Sequence, residues 1–206
     1  MKINNLNAKL DEMFPDARCE LNYHRDYELL IATVLSAQCT DKRVNEVTKE
    51  LFNTYDIYGL ANAEKKDIEK IIRSCGSHTK KSNYIISIAK SLIDNYNGVV
   101  PNNREYLESL PGVGRKTANV VLSNLFNVPT LAVDTHVERV SKRLKLANKK
   151  DSVLQVEHKL EKIIPQDLWS RSHHQLVLFG RYICKARKPD CDRCSFYNDC
   201  SSKDKK

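Results

Sequence analysis

Two groups of residues in this 206-residue chain have types and spacings suited to chemistry. The first is Leu110-Pro111-Gly112-Val113-Gly114-Arg115-Lys116, with Asp134 eighteen positions beyond the lysine. A Gly-x-Gly turn that opens a helix aims backbone N–H groups at one point, an arrangement suited to a phosphate. Ala118, Val121, Leu122 and Leu125 recur behind it at helical spacing, so Lys116 falls in the first turn of a helix. A lysine amine, once free of its proton, is a nucleophile toward a carbonyl or a sugar carbon. Taken alone, the turn also fits a plain phosphate grip, with Gly112, Gly114, Arg115 and Lys116 as contacts and no chemistry.

The second group is Cys184, Cys191, Cys194 and Cys200, spaced C-x6-C-x2-C-x5-C. Four thiols within seventeen residues are a metal-site pattern, and spacing alone accepts structural zinc or an iron–sulfur cluster. Lys185-Ala186-Arg187-Lys188-Pro189 lies between the first two cysteines. A basic loop pinned at both ends presents Lys185, Arg187 and Lys188 to phosphates at little entropic cost. Cys19, Cys39 and Cys75 are scattered and read as small buried hydrophobes.

Composition narrows the partners. Lys+Arg 34 against Asp+Glu 26 gives a net charge of +8, and 41% apolar content is enough for a core. The positive excess points to an anionic partner, and nucleic acid fits better than a membrane because no long basic amphipathic helix is present. Met1 to Leu10 lacks the apolar core of a signal peptide, and no run approaches membrane-spanning length. The expected location is intracellular, where seven cysteines speak for metal or free thiols rather than disulfides.

The elements that must position these residues read as helices throughout, so the fold class is all-α. Ile3, Leu6, Leu10 and Met13 mark a helix stopped before Pro15. Residues 27–37 are apolar nearly all round and predict a buried helix. Val44, Val47 and Leu51 define the next, with Asp41 as its cap; Ile68, Ile71 and Ile72 mark another that ends at Gly76. A long helix is predicted over 80–96, closed by Asn97-Gly98. Beyond the hairpin a helix bearing Val137, Val140 and Leu144 starts near Asp134 or Thr135; Asp134 fits its N-cap, and Thr135 with Glu138 fits a capping box. Val153, Val156, Leu160 and Ile163 mark one more, and 169–183 a last long one.

Leu110 to Val121, Ala132-Val133-Asp134-Thr135-His136-Val137, Leu35-Ser36-Ala37-Gln38-Cys39-Thr40-Asp41 and the four-cysteine tail together resemble endonuclease III. That is the iron–sulfur DNA glycosylase and abasic-site lyase family of the helix–hairpin–helix (HhH-GPD) superfamily, and the likeness runs from about residue 10 to Cys200. The resemblance implies two helical domains with the active cleft between them. One is a six-helix barrel over 19–128; the other joins 1–18 to 129–206 and carries a [4Fe-4S] cluster on Cys184, Cys191, Cys194 and Cys200, structural zinc being the alternative.

It implies further that Lys116 is the nucleophile that attacks the deoxyribose and forms a Schiff base. Asp134 would be the carboxylate that stabilises positive charge on the sugar and assists proton transfer. Gln38 would fill the space left by a flipped nucleotide. The implied function is a bifunctional glycosylase and lyase of base excision repair, acting on double-stranded DNA with oxidised pyrimidines or abasic sites. The protein is expected to be a monomer in the cytoplasm, at the nucleoid. The chain departs from the family at Ser77-His78, where the family has Leu-Tyr and the leucine wedges into the duplex. Serine cannot supply that wedge, so weaker duplex opening or a stacking role for His78 is expected. Two other readings fit the motifs: a helix–hairpin–helix damage binder without chemistry, and a monofunctional mismatch glycosylase. The second usually has a further C-terminal domain or lacks the lysine.

Overall fold

The computed structural model describes residues 5–200 with Ser202 and Lys203; among these it is helical, without a strand. The chain divides into two compact units, Glu20–Asn127 and Met1–Cys19 together with Val128–Lys206. None of the described helices is long and apolar enough to cross a membrane.

The first unit holds α2 (Asp26–Leu35), α3 (Asp41–Thr54), α4 (Ile57–Asn62), α5 (Lys65–Ile71), α6 (His78–Tyr96), α7 (Arg104–Ser109) and α8 (Arg115–Phe126). Helix α2 is the central one. Every residue from Tyr27 to Leu35 is buried, which is why its sequence is apolar on all sides. It packs against α3, α6 and α8. Glu28, in its first turn, is also buried and accepts the backbone N–H of His24 (2.7 Å) and Arg25 (3.3 Å). Helix α3 is capped by Thr40, whose hydroxyl accepts from Arg43 N, and Asp41 is instead its first residue. The shift of one residue leaves the acidic side chain in the first turn, where the helix dipole still favours it.

Helices α4 and α7 escape a search for apolar periodicity because six residues make fewer than two turns. Caps define them instead: Asp56 accepts from Gly59 N at 2.7 Å and Asn103 from Tyr106 N at 3.0 Å. Helix α6 begins two residues earlier than its apolar face suggests. It ends at Asn97 (φ 51°) and Gly98 (φ 81°), the left-handed pair that its Asn-Gly signature predicts.

The second unit holds α1 (Leu6–Met13), α9 (Thr135–Arg143), α10 (Val153–Ile163) and α11 (Trp169–Leu178). Its core joins Leu6 and Leu10 of α1 to Val137, Val140, Val156, Leu160, Leu176 and Phe179. Ile3, assigned to the first helix from its spacing, lies outside the described residues. Helix α1 is tied to α11 through Gln175 Nε2 to Asp11 (2.7 Å) and Asn7 to Ser172 (3.3 Å). Of the two caps expected for α9, the structure has the first and not the Thr135–Glu138 box: Asp134 is the N-cap and Thr135 the first helical residue. Asp134 wins because one of its oxygens satisfies two orphan amides, whereas a Thr135 cap would satisfy one and shorten the helix. The predicted helix over 169–183 is also two elements, α11 followed by a π-turn, Phe179–Ile183.

Candidate functional site

The hairpin turn lies in the first unit, between α7 and α8. Leu110 O accepts Val113 N (3.1 Å), and Gly112 takes φ 80°. A Cβ on Gly112 would come within 2.6 Å of Tyr84 Cδ2, so both backbone and space demand glycine there. Gly114 is different. Its backbone is extended, and an added Cβ would meet nothing within 4 Å, so the space beside it is open. No side chain caps the first turn of α8, which begins at Arg115. Its opening N–H groups and dipole therefore face the open side of Gly114. Arg115 is exposed, and Lys116 is half-buried in that turn.

A second feature of this unit brings Gln38 and Ser77 together. Both are exposed and both have left-handed backbones, with φ 57° and 59°. Ser77 is the N-cap residue of α6 without a capping side-chain bond, and half-buried His78 starts the helix. A Cβ on Gly76 would lie 3.8 Å from Gln38 O, so the two turns touch. Lys81 holds them in place. It is buried on α6, and its Nζ donates to Leu35 O (2.9 Å) and Ala37 O (2.7 Å), at the end of α2 just before Gln38. Burial pulls its pKa below the usual lysine value, and the sulfurs of Cys75 and Cys39 pull it back up.

In the second unit, Asp134 Oδ1 accepts His136 N (2.8 Å) and Val137 N (2.9 Å), so the start of α9 fixes the carboxylate. Buried His173 steadies the segment before it by donating from Nδ1 to Ala132 O (2.7 Å). The sequence suggests only packing or surface exposure for this histidine. Two arginines then fasten α9 to the cysteine loop. Arg139 donates from Nη2 to Gly180 O (2.7 Å) and from Nε to Cys184 O (3.2 Å), and its Nη2 also reaches His136 Nδ1 (3.2 Å). Arg143 donates to Lys185 O (2.6 Å), Ala186 O (3.1 Å) and Cys184 Sγ (3.5 Å). Gly180 permits this closeness, since a Cβ there would sit 2.9 Å from His136 Cβ.

All four C-terminal cysteines line one pocket, together with Arg143, Phe179 and Tyr197. Among the described residues, no three His, Cys, Asp or Glu side chains converge as a ready site for a metal ion. Burial pushes the Cys194 thiol up to about 11. A cation or cluster in the pocket would reverse that, because a coordinating thiol is held as thiolate. The donor set, four sulfurs about one pocket with an arginine guanidinium beside Cys184, fits such a group. Lys185, Arg187 and Lys188 are all exposed on the loop, which Ile183 O closes by accepting both Lys185 N and Asp190 N (2.9 Å each).

The hairpin and Gln38–Ser77 features thus belong to one unit, and Asp134 and the cysteine loop to the other. Lys81, Arg139 and Arg143 carry structural duties that motif reading passes over. Lys81 had a signal: it shares the apolar face of α6 with Ile85, Ile88, Ala89 and Leu92, a polar intruder in a buried stripe. The arginines showed only a four-residue spacing on one helix, which a solvated face shares.

Residues 31–166 match the family of HhH-GPD superfamily base excision DNA repair proteins. The chain is 49% identical over 195 residues to endonuclease III of Bacillus subtilis (strain 168), covering 93% of this chain and 88% of that one. It is 49% identical over 197 residues to endonuclease III of Rickettsia conorii (strain ATCC VR-613 / Malish 7), covering 93% of each. A solved structure of a trapped endonuclease III–DNA covalent intermediate superposes with a TM-score of 0.91 at 52% identity, over 94% of this chain and 92% of that one.

Proposed function

The chain belongs to the endonuclease III family, within the HhH-GPD superfamily of base excision DNA repair proteins, and on that premise we propose a bifunctional DNA glycosylase and abasic-site lyase for oxidised pyrimidines in duplex DNA. The observation that carries the proposal is the placement of Lys116. Lys116 lies in the first turn of α8, whose N-cap is a glycine without a side chain, directly behind a Gly-Val-Gly turn with open space beside Gly114. The turn and Arg115 hold a phosphate of the damaged strand, which brings the neighbouring sugar to the amine.

The reaction follows from that position. Lys116 Nζ bonds to C1′ of the sugar as the C1′–base bond breaks, and the base leaves with the electron pair. Ring opening turns the adduct into a Schiff base. Loss of a C2′ proton then expels the 3′ phosphate, and the strand is cut on the 3′ side. The Asp134 carboxylate, oriented by the α9 amides, offsets positive charge on the sugar and passes protons.

The damaged nucleotide must leave the stack first, because its C1′ is out of reach inside the duplex. Gln38 fills the gap, and Ser77 with His78 takes the wedge position. Lys185, Arg187 and Lys188 contact phosphates. Cys184, Cys191, Cys194 and Cys200, which line one pocket, would hold a [4Fe-4S] cluster through their four thiolates. Bound there, the cluster would cross-link the loop that carries those three basic residues.

The test is borohydride trapping on an oligonucleotide with one abasic site. A covalent adduct formed by the wild type and missing for Lys116→Ala is expected. Folded, DNA-binding wild-type protein that gives no adduct would overturn the lyase assignment. Colour separates the metal readings, since a cluster makes the protein yellow-brown and zinc leaves it colourless.

A further inference from the structure

The turns that carry Gln38 and Ser77 are joined from behind by two thiols. Cys39 Sγ donates to Cys75 Sγ at 3.5 Å, and both cysteines are free. Cys39 directly follows Gln38, and Cys75 lies two residues before Ser77. Cys75 is fully buried, while Cys39 is half-buried and open to a small reagent. The nearby Lys81 charge favours the thiolate of Cys75. Burial nonetheless drives the Cys75 thiol up to about 12. Cys39, the more exposed of the two, is the sulfur that a soluble disulfide meets first, and enclosed Cys75 the one that resolves.

We infer that Cys39 and Cys75 form a reversible redox pair, oxidised by a small-molecule disulfide such as oxidised glutathione, whose bond shifts the Gln38 turn and slows base excision. The Cys39 thiolate attacks one sulfur of oxidised glutathione and expels glutathione thiolate, which takes up the proton. Cys75 then loses its proton and attacks the Cys39 sulfur of the mixed disulfide, releasing a second glutathione. Two protein thiols are oxidised to one disulfide, and one glutathione disulfide is reduced to two thiols.

The mechanical consequence comes from what is fixed. Cys75 is enclosed and its N–H is held by Ile72 O at 2.8 Å, whereas half-buried Cys39 is held by a longer bond to Ser36 O (3.1 Å), so the Cys39 side yields more readily. Closing the sulfurs to a bond of about 2.05 Å draws Cys39 in by more than an ångström. On the other side of Gln38, Lys81 clamps Ala37 O. Gln38 is the residue between clamp and bond, so the turn rotates there. A misplacement of about 1 Å in a positioning group is enough to cost about 100-fold in rate. This effect on DNA rests on the proposed role of Gln38; the bond itself does not.

The experiment treats the full, cluster-loaded protein with reduced or oxidised glutathione. Differential alkylation and mass spectrometry then read Cys39 and Cys75 separately from the four C-terminal cysteines. The same samples are assayed for single-turnover excision from a duplex with one oxidised pyrimidine. One Cys39–Cys75 disulfide is expected, with excision at least tenfold slower and restored by dithiothreitol. In Cys39→Ala and in Cys75→Ala the rate should not respond to the oxidant. Two alkylatable thiols after oxidation would overturn the pair, and a disulfide with an unchanged rate would overturn its coupling to Gln38. Failure of the glycosylase reading looks different, because the reduced wild type would then excise nothing while alkylation still judges the bond.

Discussion

Asp134 has one job in the structure and a second in the proposed reaction, and a pair of substitutions can separate them. Its Oδ1 caps α9 through bonds of 2.8 and 2.9 Å to His136 N and Val137 N. Its charge is assigned to the developing positive sugar. Asparagine keeps an acceptor oxygen of the same reach and is as good an N-cap as aspartate, so Asp134→Asn retains the cap and loses the charge. Asp134→Ala loses both. Removing an N-cap side chain costs about 1 kcal/mol, which for a chain of this size lowers the melting temperature by about 2–4 °C. Asp134→Asn should melt closer to wild type than Asp134→Ala, because it keeps the cap and loses only the attraction of the charge to the helix dipole and to Arg139. Excision should fall in both variants, by roughly 10²–10⁴-fold, the usual worth of a proton-transfer or charge-stabilising carboxylate. Thermal unfolding and single-turnover excision on the same preparations give both numbers. An asparagine variant that excises at the wild-type rate would refute the charge argument. One that melts as low as the alanine variant would refute the cap argument.

Three other outcomes are expected. Gly112→Ala must place a side chain at φ 80° and within 2.6 Å of Tyr84, so it should lose at least about 1–2 kcal/mol, whereas Gly114→Ala, at an extended N-cap position with open space, should lose less; equal melting losses would contradict the distinction. Cys75 stays protonated in the native state to about pH 12 but ionises near 9 when unfolded. The native state therefore binds more protons between those values, and stability falls as pH rises through that window; urea unfolding at several pH values should show a flatter fall for Cys75→Ala. Arg187→Ala with Lys188→Ala should weaken binding to all duplex sequences alike and reduce the slope of log affinity against log salt by about two, since each phosphate contact contributes about 0.9; an unchanged slope would remove the loop from the interface.

The residue types alone determined the helical class, while the chemistry they left open was narrowed by the resemblance to endonuclease III. Tyr27 to Leu35 had to be enclosed because no face of that helix is polar, and the structure buries all of it. The hairpin was legible because glycine spacing is a backbone constraint, local by nature. Gly112 needs its left-handed φ whatever surrounds it. The cysteine spacing likewise announced one site, since four sulfurs in seventeen residues can reach a common pocket by short loops. What stayed hidden depends on distance in the chain. Periodicity said that α9 begins near Asp134, but only the competition for orphan amides made Asp134 rather than Thr135 the cap. Arg139 and Arg143 looked like surface charges until the π-turn brought Gly180 O and Cys184 O to them from more than forty residues away. Cys39 and Cys75 are separated by thirty-six residues and read as two unrelated buried thiols. Burial of α2 against α6 puts them 3.5 Å apart, with Lys81 beside them, and a pairing of that kind is decided by packing, which local sequence does not encode.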